Sequence, residues 1–323
     1  MKGHDLKKIV LEEHFGTAAL AGYGADVVAF IDPGWFQYYK SRLSEFDDLR
    51  LAEMDNNGID IAVLSATTPG VQIEKDRNTA VAKAREANDF LATVIQRHPT
   101  RFSGFAHLAL QDPTEAANEL ERCVSQLGLC GAMINGHTNG EYLDEDKFWP
   151  FWEKVEELGA PIYLHPANAP DAARCLEGHI ALLGPAWAWG TETATHALRM
   201  VFGGLFDRFP TLTVILGHMG ETLPYVLWRL DSRYQMMKHG NKSIKKLPSQ
   251  YIRDNIMITT SGSCDVPALL CSMLALGADR IMFSVDYPYE STETAVRFIE
   301  NAPISEFDKS KICHLNATRL LKL

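Results

Sequence analysis

Paired cysteines are absent. The six that occur, Cys123, Cys130, Cys175, Cys264, Cys271 and Cys313, stand singly with no CxxC among them, so neither a disulfide framework nor a thiolate zinc site is indicated. The plain reading is six reduced thiols in a cytoplasmic protein. Long apolar runs are missing as well: nowhere do about eighteen apolar residues follow one another, and residues 1–11 are charged, without a signal-peptide core. No membrane span is expected. Basic residues are the minority, with 31 Lys and Arg against 41 Asp and Glu for a net charge of -10, which excludes a nucleic-acid binder that works by neutralising phosphates. The Lys-rich segment 238–246 reads as a solvated helix end and loop. Nucleotide and serine-hydrolase signatures also fail. Gly22-Tyr23-Gly24 has no third glycine and no strand-to-helix context, and neither a GxxxxGK(S/T) loop nor a GxSxG elbow occurs. There is no linker, internal repeat or low-complexity segment.

What is present is enough for a large core: 46% of the 323 residues are hydrophobic and 22% charged. That length allows two domains or one α/β barrel of roughly 250 residues or more. Apolar, β-branched runs recur at 9–15, 60–68, 102–110, 130–137, 160–166, 212–220, 256–262 and 281–288. Several are continuous rather than alternating, as strands covered on both faces should be. Helical patterns lie between them. Ala80, Ala84, Ala87, Leu91 and Val94 share one helix face, as do Ala116, Leu120, Val124 and Leu127. Asp112-Pro113 with Glu115 supplies a start signal for the second. Further helices are expected near 147–158, 191–208, 221–237, 265–276 and 292–300, with a closing helix from Glu306. Strand then helix, repeated eight times, predicts an α/β fold of the (β/α)8 TIM-barrel type, one domain over 1–323. Two connections are long: 16–39 after the first strand and 167–190 after the fifth. In a barrel both lie at the C-terminal ends of the strands, where active sites are built.

Candidate metal ligands fall at those same ends. Glu12 and His14 close the first strand, His165 the fifth, His218 the sixth and Asp286 the eighth. Glu12 and His14 are two apart, so both face the lumen. Singly, each has a bland reading as a packed histidine, an exposed acid or a turn cap. Together they are hard to explain by packing, because a buried carboxylate or imidazole without a partner carries a desolvation cost. A divalent ion needs such nitrogen and oxygen donors converging at about 2.0–2.2 Å, and an open position marks a catalytic site. His98, His179, His196, His239 and His314 fall in predicted helices or loops and read as structural. His107 lies inside the third strand, and His137, ending the fourth, could reach the pocket.

Four segments, Leu11-Glu-Glu-His-Phe15, Tyr163-Leu-His-Pro166, Leu216-Gly-His-Met-Gly-Glu221 and Phe283-Ser-Val-Asp-Tyr-Pro-Tyr289, resemble motifs of the aminocarboxymuconate semialdehyde decarboxylase branch of the amidohydrolase superfamily. Within it the chain is most similar to the non-oxidative ortho-hydroxybenzoate decarboxylases, especially those of γ-resorcylate (2,6-dihydroxybenzoate). Leu183-Gly-Pro185, Trp228-Arg229, Ile258-Thr-Thr-Ser-Gly262 and Asn316-Ala-Thr-Arg-Leu-Leu-Lys322 extend the likeness through nearly the whole length. The resemblance implies one divalent metal ion, Zn²⁺ or Mn²⁺, among Glu12, His14, His165 and Asp286. It implies His218, supported by Glu221, beside Asp286, and Arg229 near the substrate. Strand four ends Ile134-Asn-Gly-His137 without a lysine, which favours the one-metal form. A homotetramer is also implied. The chain departs from the pattern at His165-Pro-Ala-Asn168, where decarboxylases of the group often have Arg-Asn after His-Pro. It departs again at Tyr287 and Tyr289, where the γ-resorcylate enzymes tend to have Trp and Phe. Salicylate- and 2,3-dihydroxybenzoate-type relatives show the Tyr-Pro arrangement but tend to have Ala in place of His14.

The expected reaction is loss of CO2 from an ortho-hydroxybenzoate, reversible to phenol carboxylation. The metal would chelate carboxylate and phenolate, and Asp286 would protonate the ring carbon, with His218 relaying the proton. Tyr23, Trp187, Trp189, Tyr287 and Tyr289 are candidates, with Arg229, to hold a small aromatic carboxylate. The alternative is a metal-dependent hydrolase of a cyclic amide or lactone with Asp286 as general base.

Overall fold

In the computed structural model, residues 6–24, 31–171, 173–238 and 243–323 are described. Nine β segments fill eight barrel positions: β1 (Ile9–Phe15), β2 (Ile61–Ala66), β3 (Phe102–Gly104) with β4 (Ala106–His107), β5 (Ala132–Asn135), β6 (Ile162–His165), β7 (Val214–Leu216), β8 (Ile256–Thr259) and β9 (Ile281–Met282). All neighbouring pairs are parallel. The third position is interrupted at Phe105, whose N–H still reaches Leu64 O at 2.9 Å. The barrel closes where the His14 N–H donates to Tyr287 O at 2.7 Å and Glu13 bridges to Tyr287.

Every barrel position sends an apolar side chain inward: Ile9 and Leu11, Val63, Phe105, Met133, Tyr163, Ile215, Met257 and Met282 form one inner cluster, floored by Ala317 and Leu321 of the last helix. A second, larger cluster fills the space between strands and helices, and Ala80, Ala84, Ala87, Leu91 and Val94 belong to it. The 3.6-residue periodicity therefore marked the face that packs on the sheet. Asp112 caps helix Pro113–Ser125 by accepting from the Thr114 and Glu115 N–H groups.

Some expectations change. The connection after β1 is not loop throughout. A helix, Pro33–Leu43, starts at Asp32, whose side chain accepts from Gly34 N–H. Asp-Pro is the same start signal as at 112–113, hidden here among glycines and aromatics. Helices Leu49–Asn57 and Pro248–Asn255 were also unforeseen, and Gly203-Gly204 breaks the expected 191–208 helix into Ala188–Phe202 and Leu205–Arg208. The connection after β6 is irregular, with two short 3₁₀ turns. The closing helix runs from Glu306 through a wide turn at Lys311–Leu315. Residues 25–30 of the first connection, and His239, lie outside the described residues.

Candidate active site

Strand parity alone does not put Glu12 and His14 in the lumen, because Ile9 and Leu11 already point there. A β-bulge resolves the conflict: the β1–β2 register shifts between Val10 and Glu13. Consecutive N–H groups of Leu11 and Glu12 both donate to Ser284 Oγ, at 3.2 and 2.7 Å. One extra residue flips the alternation, which is the usual work of a bulge beside a site. Glu12 and His14 turn inward and Glu13 outward, where Glu13 accepts from Val285 N–H at 3.1 Å. Burial pushes the Glu13 carboxyl up to about 8. Behind the strand, buried Arg50 donates to His14 O at 2.6 Å, fixing that residue's backbone.

His218 reaches the site by a different device. Ile215 faces the lumen, so Gly217 does too, and no side chain fits there. A Cβ on Gly217 would lie 2.6 Å from Glu12 Oε2 and 3.0 Å from Ser261 Oγ. From His218 to Thr222 the backbone then makes a left-handed turn, with φ of 48, 57, 79, 52 and 67°. Only Gly220 adopts this without cost; each other residue is disfavoured by about 1–2 kcal/mol. The turn places Glu221 against His218, Nδ1 to Oε1 2.6 Å, and leaves Nε2 facing the lumen. Asp286, also left-handed at φ 78°, ends the eighth position.

The five groups converge. His165 Nε2 lies 3.2 Å from Glu12 Oε1, His14 Nε2 3.3 Å from Asp286 Oδ1, and His218 Nε2 3.7 and 3.6 Å from Glu12 Oε1 and Asp286 Oδ2. Two overlapping donor triads result, Glu12–His14–His165 and Glu12–His218–Asp286. Ligands at about 2.1 Å from a common ion stand about 3.0–3.5 Å apart at ordinary coordination angles, so the spacing fits. Glu12 Oε1, His14 Nε2 and Asp286 Oδ1 are buried with no hydrogen-bond partner, an arrangement that is costly unless something else occupies the lone pairs. The outer ring nitrogens are committed: His165 Nδ1 to Pro166 O at 2.8 Å, His14 Nδ1 to Ser65 Oγ at 3.3 Å, His218 Nδ1 to Glu221. This orients each Nε2 inward. Burial would raise the Glu12 carboxyl, but His218, His165 and His14 hold it below the usual carboxylate range. Burial likewise opposes charge on His218, yet Glu221 and Glu12 drive its imidazole well above its ordinary value.

Residue-type reasoning missed the groups that hold Glu12. Its second oxygen, Oε2, accepts from both the Tyr163 and Ser261 hydroxyls, and Thr259 bonds Tyr163 at 2.8 Å and Ser261 at 3.0 Å. The signal was available: Tyr163 stands two before His165, and Thr259 and Ser261 share a lumen parity. Tyr163→Phe is expected to weaken metal binding about 10- to 100-fold, the usual loss when a hydrogen bond supporting a ligand is removed. Titrating metal into chelator-stripped protein checks this, and an unchanged affinity would remove Tyr163 from the role.

The expected substrate residues divide. Tyr289 lies beside the cluster, its ring centroid 5.5 Å from that of His14 and its hydroxyl 2.6 Å from Thr67 Oγ1. With Tyr23 and Tyr39 it lines a largely apolar cavity of about 720 Å³. Tyr23 anchors the far wall by donating to Glu74 Oε2 at 2.5 Å. Tyr287 is a correction. One residue after Asp286 it points out of the barrel, where Arg50 sits 4.5 Å above its ring. Arg229 is another, being exposed on helix Leu223–Tyr234 in a surface groove with Phe202, Arg233 and Met237. That helix buries Leu223 and Leu227, which turns Arg229 away. Trp187 is 58% exposed. Trp189 is half-buried and donates to Asn168 Oδ1 at 2.6 Å. His137 is spent on loop structure, Nε2 on Asn168 O at 2.9 Å and Nδ1 on Gly140 N–H at 3.0 Å. His107, pushed down to about 4 by burial, accepts from Val71 N–H.

A closed parallel barrel with histidines and carboxylates at the strand ends defines a class, and comparison agrees: the chain belongs to the amidohydrolase family, matching it over residues 35–323. Within that family it is 46% identical over 324 residues to a γ-resorcylate decarboxylase of Polaromonas sp. (strain JS666 / ATCC BAA-500), covering 98% of each chain. The crystal structure of a dihydroxybenzoic acid decarboxylase from Polaromonas sp. JS666, with bound manganese and the inhibitor 2-nitroresorcinol, superposes with a TM-score of 0.93 at 46% identity, over 98% of this chain and 97% of that one. A 2,6-dihydroxybenzoate decarboxylase complexed with 2,6-dihydroxybenzoate gives a TM-score of 0.93 at 43% identity, over 98% and 99%.

Proposed function

We propose that this protein is a metal-dependent, non-oxidative decarboxylase of an ortho-hydroxybenzoate, with 2,6-dihydroxybenzoate favoured over 2,3-dihydroxybenzoate and salicylate. The observation that carries the reading is the set of buried, unpartnered donor atoms on Glu12, His14 and Asp286, next to a His218–Glu221 pair able to move a proton. The likeness to 2,6-dihydroxybenzoate enzymes supports the choice of acid. Glu12, His14, His165 and Asp286 would hold one divalent ion, which supplies Lewis acidity and a template for the substrate's carboxylate and ortho oxygen. Manganese is preferred to zinc because a relative's structure contains it.

Direct loss of CO2 from a benzoate would leave an aryl anion. Protonating the carboxylate-bearing carbon first avoids this, and the ortho oxygen makes that carbon basic. Asp286 and His218 are the most open groups of the cluster, their side chains 14% and 26% exposed, so the ring approaches from their side. Asp286 gives its proton to the carbon, the C–C bond breaks, and its electron pair restores the aromatic ring. His218, held by Glu221, returns a proton to Asp286. Tyr289 and Tyr23 would form the ring's apolar wall, and Trp187 and Trp189 the rim. Arg229 would serve the substrate carboxylate only if an assembly brought it there. Exposed Tyr225, Trp228, Leu270 and Leu274 form a face suited to a homo-oligomer, for which we favour a tetramer. The chain would act as a single domain, and six free thiols support a cytoplasmic location.

A panel of salicylate, 2,3-, 2,4- and 2,6-dihydroxybenzoate with a dihydropyrimidine and a lactone tests the reading. CO2 release is expected, fastest from the 2,6-isomer, with the corresponding phenol carboxylated in concentrated bicarbonate. Ring opening of the amide or lactone without CO2 release would replace it with the hydrolase reading.

A further inference from the structure

Among the described residues no strand ladder joins β9 to β1: one sheet ends at β1 and the other at β9. In backbone terms this seam is crossed by the His14 N–H bond to Tyr287 O and by the bridge between Glu13 and Tyr287. Yet Glu12 and His14 stand on one side of it and Asp286 on the other, so the 3.3 Å between His14 Nε2 and Asp286 Oδ1 is a distance across the seam. Side chains supply what the ladder does not. Glu13, turned outward by the bulge and buried, sets one carboxyl oxygen, Oε1, to accept from both the Val285 N–H at 3.1 Å and the Ser284 hydroxyl at 3.2 Å. Ser284 Oγ in turn accepts from the Leu11 and Glu12 N–H groups. This clip therefore begins on the backbone of Glu12 and ends one residue before Asp286. Arg50 spans the same seam from outside, donating to His14 O and lying 4.5 Å from the Tyr287 ring centre.

We propose that Glu13 is a positioning residue: its Oε1, together with Ser284, stands in for the missing ladder and sets how far Asp286 lies from Glu12 and His14. It acts through Val285 and Ser284, not on the ion or the ring. An oxygen is what the clip uses, rather than a charge, because the two groups that donate to it are a neutral amide and a neutral hydroxyl. An apolar side chain at this position would leave the Val285 N–H buried without that acceptor, a state that backbone avoids by shifting. Sites of this kind hold their groups to within about 0.5 Å. A seam that relaxes further would draw Asp286 away from the donors of β1 while the barrel itself stays folded on its inner and outer apolar clusters.

This inference rests on the metal-dependent reading above, and its test separates the two. Manganese is titrated into chelator-stripped protein by calorimetry, and kcat and KM are then measured at saturating manganese. Glu13→Gln, which keeps an acceptor oxygen, is expected to bind manganese within about threefold of wild type, whereas Glu13→Leu, which removes it, should bind about 10- to 100-fold more weakly. With the metal saturating, Glu13→Leu should still lose at least about tenfold in kcat, with KM changed far less, and Glu13→Gln should turn over as wild type does. Ser284→Ala, which cuts the clip at its other end, should resemble Glu13→Leu and serves if that variant does not fold. Wild-type affinity and kcat in folded Glu13→Leu, whatever its melting temperature, would leave Glu13 a packing role and overturn the proposal. A Glu13→Gln protein as impaired as Glu13→Leu would also overturn it, by assigning the effect to charge. The titration needs no substrate, so it holds whichever acid is turned over; a wild-type protein that binds no manganese would overturn the metal reading itself, and this inference with it.

Discussion

Asp286→Asn is expected to retain its metal and lose about 10²- to 10⁴-fold in kcat, the range supplied by a positioned general acid. The substitution is nearly isosteric. The carboxamide oxygen can still face His14, where Asp286 Oδ1 lies 3.3 Å from Nε2, so the donor set stays assembled. What disappears is a proton that can be handed to carbon and recovered from His218, 3.6 Å away. KM should move far less than kcat, because Tyr289 and Tyr23, the proposed walls for the ring, are untouched. Metal analysis of the purified variant, with steady-state rates on the preferred benzoate, decides the matter. Wild-type turnover in a metal-replete Asp286→Asn protein would end the proton-donor assignment.

Glu12→Gln should act more severely and by a different route. Glu12 belongs to both donor triads, and its two oxygens have divided duties: Oε1 faces the histidines and Oε2 accepts from Tyr163 and Ser261. An amide fits both sides only if its neighbours reverse. If its oxygen faces the ion, its N–H groups require the Tyr163 and Ser261 hydroxyls to turn from donors into acceptors; if reversed, it offers the ion a cation-repelling N–H edge. Metal content should collapse, and activity should fall well beyond the about 100-fold typical of losing a supporting contact, without recovery in excess manganese. His218 and His14, relieved of that anion, should also give up protons at lower pH. Full metal occupancy in Glu12→Gln would contradict the site as built.

The (β/α)8 order, the inner and outer faces of helices such as 77–97, and the strand-end placement of Glu12, His14, His165, His218 and Asp286 were legible, because each follows from periodicity and position in the chain. What was not legible depends on backbone departures from ideal geometry. Two-residue spacing correctly put Glu12 with His14, but only the bulge before Glu13 puts that pair in the lumen with Leu11. The same parity argument, applied one residue beyond Asp286, would have turned Tyr287 outward. Gly217 precedes and Gly220 sits within the left-handed turn that aims His218, yet a pair of glycines does not specify φ at Met219 or Thr222. Arg229 followed a motif, whereas its exposure depends on which face of helix Leu223–Tyr234 packs inward.

The last helix matters to traffic as much as to packing. Ala317 and Leu321 seal the lumen beneath Met257 and Met282, making the barrel a well with a floor. Acid enters, and phenol and CO2 leave, through the same mouth. The two products are thus neighbours until one escapes, and the bond just broken can re-form only until then.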